Sequence, residues 1–244
     1  MIKDFTLDKY RELLQALDDC NQVILRHDVD KKPKNSLATA FIEREMGWKA
    51  TYYFRVVPES YDPSIILQIA SLGHEIGYHY ESLATCRGDM EAAYRDFCDN
   101  LEKIRSLVPV KTIAMHGSPR SKWNSLDLWK LYDYHKLGIE TEPYLDTDFS
   151  KVVYLTDTGR RWDGYRVSVR DKIPAYQEQW CQRGWCFRST DDIIQAIGQG
   201  AFPNDVMINT HPQRWTDNKV QWLKELVTQS VKNVVKRVVI NKKM

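Results

Sequence analysis

Short apolar runs alternate with longer segments of helical periodicity along most of the 244-residue chain. The run at 50–56 is β-branched and aromatic, which is typical of a strand. The segment 90–107 carries an apolar residue at every third or fourth position, as an amphipathic helix does. No linker or internal repeat interrupts this alternation. It predicts one α/β domain over residues 1–244, with parallel strands covered by helices in a barrel or an open sheet.

Composition excludes several classes of protein. Hydrophobic residues make up 43% of the chain and charged residues 28%, which is ordinary for a soluble globular protein. Lysine and arginine exceed the acids by only 35 − 33 = 2, so we expect no nucleic-acid partner. No apolar stretch approaches the roughly 20 residues of a transmembrane helix. The N-terminus lacks the layout of a signal peptide. The five cysteines match neither a zinc ribbon nor a disulfide framework, which predicts reduced thiols in a cytoplasmic protein.

Two carboxylates follow the first predicted strand, at Asp28 and Asp30. Residues two apart in a strand point the same way, so these side chains would converge. One of them could then bind a metal ion while the other takes a proton from water. The alternative is a solvated strand end in which Asp30 caps the following helix.

Histidines stand at the ends of three further predicted strands. His79 closes the string Gly-His-Glu-Ile-Gly-Tyr-His at 73–79, and His116 and His211 end two later strands. Neutral imidazole is a common zinc ligand. The carboxyl ends of the strands of a barrel share one face, so these histidines and the aspartate pair predict a single polar site.

Two other features leave alternatives open. Trp123, Trp162 and Trp215 lie in predicted loops, where exposed rings would suit stacking on sugars, although core positions are the other interpretation. The final predicted helix has apolar residues on one face and a basic face near its end. That basic face could touch a membrane or nucleic acid, but a solvated surface is the simpler interpretation. The apolar residues are Leu223, Val227, Val231, Val234 and Val238, and the basic ones are Lys232, Lys236, Arg237, Lys242 and Lys243.

The motifs resemble those of the polysaccharide deacetylase superfamily, carbohydrate esterase family four. The strings are Leu-Arg-His-Asp-Val-Asp at 25–30, Gly-His-Glu-Ile-Gly-Tyr-His-Tyr-Glu at 73–81, His-Gly at 116–117 and Thr-His-Pro-x-x-Trp at 210–215. They are most similar to a divergent branch that includes proteins from bacterial surface-polysaccharide gene clusters. The resemblance implies an irregular (β/α) barrel with about seven parallel strands. It also implies hydrolysis of N- or O-acetyl groups on sugars with a divalent metal ion, usually zinc.

The resemblance also implies roles for particular residues. Asp28 would be the general base and His211 the general acid, with Asp30 and His79 as metal ligands. The family's second metal histidine falls at Leu83, which cannot bind a metal ion. The preferred substitute is His116, which replaces the family's usual Arg-Pro motif after the fourth strand. The weaker candidates for this ligand are Glu81 and His27.

The implied function is deacetylation of an acetylated sugar or sugar conjugate, nucleotide-linked or lipid-linked, in surface-polysaccharide biosynthesis. The substrate contacts would be Glu81, Arg120, Asp157 and Trp215. Two alternatives remain open from the sequence. One is hydrolysis of another non-peptide C–N bond on the same fold, and the other is a non-catalytic carbohydrate-binding protein that has lost its metal ion.

Overall fold

A computed structural model describes residues 4–118, 121–168 and 170–241 of the chain, without the side chains of 165 and 236–241. Within these ranges the strands form one parallel sheet that curls into a half-barrel, so the predicted α/β class is confirmed. The strand order is β4-β3-β2-β1-β6-β5. The strands are β1 (Gln22–Val29), β2 (Thr51–Phe54), β3 (Glu75–Tyr80), β4 (Ile113–Met115), β5 (Val153–Thr156) and β6 (Asp205–Thr210).

Helices cover the sheet and connect its strands. The α-helices are α1 (Leu7–Leu17), α2 (Pro33–Glu45), α3 (Pro63–Ser71), α4 (Ser82–Thr85), α5 (Met90–Arg105), α6 (Pro143–Asp146), α7 (Pro174–Gln182), α8 (Thr190–Gly198) and α9 (Lys219–Asn241). Short 3₁₀ turns lie at Ser125–Lys130, Tyr134–Leu137, Gly164–Arg166 and Pro212–Arg214. Among the described residues, no helix combines the length and the apolar content needed to cross a bilayer.

Local sequence accounts for the ends of these helices. Pro33 opens α2, at a position where its missing N–H would have no intrahelical partner. The α8 helix begins with a capping box in which the Ser189 side chain and Asp192 satisfy each other's backbone N–H groups. Thr190, which follows the cap, is the first helical residue. Behind the helices, the strands bury most of their residues, as expected for a parallel sheet covered on both faces.

The sheet has six strands in the described residues rather than about seven. Beside β4, the segment 138–141 contributes only a single parallel bridge, between Thr112 and Thr141. The 3₁₀ turn Tyr134–Leu137 precedes this segment and Pro143 opens α6 just after it, so only a few residues are extended. The next strand, β5, joins β6 at the opposite edge, and the half-barrel stays open.

A disulfide joins Cys181 to Cys186 at the end of α7, with Cα atoms 5.0 Å apart. Gly184 takes a positive φ of 82° there and reverses the chain, so that Cys186 faces back toward Cys181. The prediction of reduced thiols is therefore wrong for this pair, while Cys20, Cys86 and Cys98 are free. Because disulfides persist mainly in oxidising compartments, this also removes one reason for expecting a cytoplasmic protein.

Candidate metal centre and acid–base residues

The side chains predicted at strand ends meet at the carboxyl edge of the half-barrel. The central strand β1 pairs with β2 and β6, and β3 lies between β2 and β4. Parallel pairing brings the carboxyl ends of these strands to one edge. The residues gathered there line a single depression: Asp28, Asp30, His79, His116 and His211.

Three of these side chains form a group that could hold a metal ion. The Nε2 atoms of His79 and His116 lie 3.6 and 3.4 Å from Asp30 Oδ1. The three ligand atoms all lie within 4.8 Å of one another. Two ligands of one zinc ion are typically about 3.3 Å apart, given bonds of about 2.0 Å in tetrahedral geometry. These separations are too long for hydrogen bonds but close to those around a shared cation.

The hydrogen bonding of Asp30 also fits a cation at this position. Its Oδ1 atom is buried and has no hydrogen-bond partner, whereas Oδ2 accepts a bond from Gln213 Nε2 at 3.1 Å. An unpartnered buried carboxylate oxygen is costly. A cation between this oxygen and the two imidazoles would offset that cost. Asp30 does not cap α2, because the cap position is Lys32 and no side chain bonds the helix end there.

In both imidazoles Nδ1 donates a hydrogen bond, and this fixes the tautomer that leaves Nε2 free to bind a metal ion. His79 Nδ1 donates to the carbonyl oxygen of Ala114 at 2.9 Å. His116 Nδ1 donates to Glu81 Oε2 at 2.8 Å. Since a carbonyl and a carboxylate only accept, each Nδ1 carries the proton and each Nε2 presents a lone pair. Metal-binding histidines are commonly oriented in this way.

Glu81 lies behind His116 with both of its carboxylate oxygens engaged. Oε1 accepts from Arg55 Nε at 2.9 Å, and Oε2 accepts from His116 and from Ser118 Oγ at 3.0 Å. Burial acts to raise the pKa of Glu81, but His116 and Arg55 outweigh it and lower the pKa to about 2. The sequence placed Glu81 among the metal ligands or the substrate contacts. In the structure it has no free oxygen for either role.

Two other positions considered for the metal ligand set lie away from the site. Leu83 is part of the hydrophobic core and is 2% exposed. His27 faces the opposite side of β1, where Nε2 lies 2.8 Å from Glu43 Oε1 and Nδ1 lies 2.6 Å from Thr210 Oγ1. The weaker prediction that His27 completes the metal shell is therefore wrong, because alternate residues of a strand point to opposite faces.

Asp28 lies beside the metal group and is held by neutral and cationic donors. Its Oδ1 accepts from Arg26 Nη2 at 2.7 Å, and its Oδ2 accepts from Asn209 Nδ2 at 2.8 Å. The same Oδ2 lies 3.9 Å from His79 Nε2. Burial acts to raise the pKa of Asp28, but Arg26, and to a smaller extent His79, hold it well below its usual value. Asp28 is therefore ionised at neutral pH and able to accept a proton.

The guanidinium of Arg26 is fully buried and packs on aromatic rings. Its Cζ lies 4.8 Å from the ring centre of Tyr53 and 5.4 Å from that of Tyr144. Gly77 on the neighbouring strand makes room for this stack, since a Cβ there would collide with the Tyr53 ring. Cation–π contacts and the Asp28 carboxylate thus keep a charge buried next to the site.

His211 forms a pair with Asp157 on the other side of the metal group. His211 Nδ1 donates to Asp157 Oδ1 at 2.7 Å, and His211 Nε2 lies 3.9 Å from Asp30 Oδ2. Burial and the charge of Arg214 act to lower the pKa of His211, but the Asp157 carboxylate outweighs them and raises it above its usual value. His211 is thereby favoured in the protonated state that a general acid requires.

The predicted substrate contacts Asp157 and Trp215 are buried. Asp157 is fully buried, and besides His211 it binds Arg214 and accepts from Trp215 Nε1 at 2.8 Å. The ring of Trp215 is also fully buried and packs against Phe5, with ring centres 4.9 Å apart. Neither side chain has a surface that a sugar could touch, so these two predictions are wrong. Arg120, the remaining predicted contact, lies outside the described residues.

Several residues of the site were missed from the sequence. Arg26 could have been found, because it lies two residues before Asp28 and so shares its face of β1. Arg55 directly follows β2, so its position at a strand end could have indicated it, as it did for the histidines.

Other residues of the site lie within or beyond the later motifs. Gln213 and Arg214 fill the two unspecified positions of the Thr-His-Pro-x-x-Trp string. No sequence pattern indicated Asp171, which lies between β5 and α7 and lines the same depression. It accepts hydrogen bonds from Tyr154 OH at 2.5 Å and Thr156 Oγ1 at 2.8 Å.

No family model matches the sequence, and no curated protein matches it either. Solved structures do show similarity. A family 4 carbohydrate esterase from Bacillus anthracis is 12% identical, with 91% of this chain and 84% of that chain covered, at a TM-score of 0.44. The Xyl-CE4 domain of a multidomain xylanase from the hindgut metagenome of Trinervitermes trinervoides is 16% identical, with 87% and 83% covered and a TM-score of 0.45. A family 4 carbohydrate esterase from Streptomyces lividans is 17% identical, with 88% and 91% covered and a TM-score of 0.41.

Proposed function

We propose that this protein is a divalent-metal-dependent hydrolase that removes an acetyl group from a sugar. The observation that carries the proposal is the convergence of Asp30, His79 and His116 on one point, between the ionised Asp28 and the Asp157-bound His211. In this proposal a proton acceptor and a proton donor would lie on either side of one potential metal position. Acyl transfer to water needs this combination of groups.

Asp30, His79 and His116 would hold the cation, and zinc suits their mixture of imidazole and carboxylate ligands. When bound, such a cation polarises an acyl oxygen and makes water more acidic. Glu81 and the Ala114 carbonyl would keep the two imidazoles in position throughout. His116 would take the place of the family's second metal histidine, which is lost at Leu83.

Asp28 and His211 would carry the proton transfers. Asp28 is ionised and close to His79, so it can accept the proton of the attacking water. His211 would donate a proton from Nε2 to the departing amine or alkoxide, while Asp157 stabilises the charged ring. The hydrolysed group would leave as acetate. The sugar is proposed from the motif resemblance, and a nucleotide-linked or lipid-linked conjugate is the substrate class we infer.

The metal centre is tested by measuring metal content in the purified full-length protein. We expect about one equivalent of zinc, cobalt or nickel in the wild type and loss of it in Asp30→Ala, His79→Ala and His116→Ala. His135→Ala is the matched control, because His135 is exposed and lies outside the site. Full retention of metal by His116→Ala would reject His116 as the third ligand.

The reaction is tested by acetate release from a panel of N- and O-acetylated sugars and their nucleotide and lipid conjugates. Asp28→Asn should abolish release yet keep the metal ion, whereas Asp30→Ala should lose both. A wild type that binds no metal ion and releases no acetate would reject the proposal in favour of a non-catalytic carbohydrate-binding protein. Release of ammonia or an amine from a substrate without an acetyl group would favour hydrolysis of a different C–N bond.

A further inference from the structure

The outward face of α9 exposes a continuous apolar stripe. Its residues are Val220 (78% exposed), Leu223 (56%), Val227 (55%), Val231 (60%) and Val234 (63%). Among the described residues, six of the eleven exposed large hydrophobic side chains belong to this one helix. At about 100° per residue, the stripe occupies a band about 80° wide. The largest group of exposed apolar side chains among the described residues therefore lies along one line on α9.

The opposite face of α9, which contacts the rest of the protein, is largely polar, although Trp222 and the half-buried Leu226 also lie on it. Glu225 and Gln229 are each 6% exposed, and Asn233 Nδ2 donates to the carbonyl oxygen of Gly159 at 2.8 Å. Trp222 Nε1 donates to the carbonyl oxygen of Asp4 at 2.8 Å. An ordinary surface helix turns its apolar side inward. In α9 the valine stripe faces outward instead, so it is not part of the core.

Cationic side chains flank the stripe, and no carboxylate lies on the outward face. Lys219 and Lys224 fall on its two borders by helical periodicity. The single acid within 219–241 is Glu225, which faces inward and lies 3.4 Å from Lys31 Nζ. An apolar band bordered by lysines fits the headgroup region of an anionic bilayer. A second copy of the helix would instead bring like charges together without the acidic partners that such pairing uses.

The helix is attached beside the candidate active site. Lys31, which pairs with Glu225, directly follows the metal-group residue Asp30. Gly159, bound by Asn233, lies two residues after Asp157. These loops follow β1 and β5, so α9 is attached at the carboxyl edge of the half-barrel, the edge that carries the site. A surface that covered the stripe would therefore be close to the mouth of the site.

We propose that α9 lies on an anionic membrane surface with its valine stripe in the interfacial layer and its lysines against lipid phosphates. The helix would rest on the membrane without crossing it. Docking would bring the candidate site close to an acetylated saccharide carried by a membrane lipid. This assignment of the substrate rests on the proposed function. The lipid-linked substrate class is then favoured over the nucleotide-linked one.

The test is co-sedimentation of the full chain with vesicles of phosphatidylcholine alone and of phosphatidylcholine mixed with phosphatidylglycerol. We expect binding to the mixed vesicles that weakens with added salt, and little binding to the neutral ones. Val227→Asp/Val231→Asp should weaken binding at least about tenfold. The matched control is Leu131→Asp, an equally exposed apolar position outside α9 at 65% exposure.

The lysines are tested in the same assay. Lys219→Glu/Lys224→Glu should weaken binding to the mixed vesicles by a similar factor, and Lys49→Glu/Lys136→Glu should not.

Equal binding to neutral and anionic vesicles, no binding to either, or wild-type binding by Val227→Asp/Val231→Asp would each overturn the proposal. So would a lipid-free dimer in sedimentation velocity that the same substitutions dissociate, since a second copy would then cover the stripe. Acetate release from a soluble acetylated sugar is measured in parallel. If the wild type releases acetate but does not bind vesicles, the membrane docking alone is rejected. If it binds vesicles but releases acetate from no substrate, the proposed hydrolase activity alone is rejected.

Discussion

Glu81 Oε2 accepts a hydrogen bond from His116 Nδ1 at 2.8 Å, and this bond turns His116 Nε2 toward Asp30. Arg55 holds the same glutamate from its other oxygen. The proposed third metal ligand, His116, is thus accompanied by a carboxylate that orients its ring. Such outer partners fix the tautomer and direction of an imidazole before the metal ion arrives.

Glu81→Gln should weaken metal binding by about 10–100-fold, because an amide is a poorer acceptor for His116 Nδ1. The affinity is measured by competition with a chromogenic chelator. Glu59→Gln, at an exposed glutamate away from the site, serves as the control. Unchanged affinity in Glu81→Gln would indicate that His116 does not bind the metal ion.

Arg26→Gln should move the acidic limb of the activity profile to higher pH. Arg26 is the main group that holds the pKa of Asp28 down against burial, so without it the pKa rises and the base becomes protonated at a higher pH. Arg26→Lys keeps the charge and should shift the limb less. The measurement is kcat/KM for acetate release against pH, and an unmoved acidic limb would argue against Asp28 as the base.

Burial raises the pKa of Glu142 to about 7, although the backbone N–H of Met115 and the charge of Arg26 act to lower it. Between about pH 4.5 and 7, Glu142 therefore keeps its proton in the folded protein but loses it in the unfolded chain, where its pKa is 4.5. The free energy of unfolding should fall by about 3 kcal/mol as pH rises from about 4.5 to about 7. In Glu142→Gln this part of the dependence should disappear.

Urea titrations at several pH values test the Glu142 prediction. Glu140→Gln is a suitable control, because Glu140 is exposed and forms an ion pair with the exposed Lys111. Its pH dependence should match the wild type. A wild-type pH dependence that persists in Glu142→Gln would mean that another buried group is responsible.

The disulfide predicts a thiol count that differs from the five cysteines of the sequence. Alkylation of the denatured protein without reductant should label three cysteines, and with reductant all five. The short closed loop should contribute about 2 kcal/mol, so Cys181→Ser/Cys186→Ser should lower the free energy of unfolding by that amount. Five labels without reductant would restore the expectation of reduced thiols.

The sequence alone determined the strand-helix alternation and the residues at strand ends. Local patterns locate strand ends, and parallel strands bring those ends to one edge. The sequence therefore predicted the meeting of five side chains that line one depression: Asp28, Asp30, His79, His116 and His211. Periodicity also identified the apolar face of the last helix. Such patterns show which side chains share a face of a helix or strand. They do not show what that face contacts.

Only the tertiary structure decided the partners of these side chains. Trp215 and Asp157 looked like loop residues, but contacts distant in sequence bury them behind His211. Glu81 became the support of His116 because β3 and β4 are neighbours in the sheet. The exposure of the α9 valines was also decided by tertiary packing. Periodicity defines an apolar face, but only packing determines whether that face meets the core, and in α9 the polar side contacts the protein.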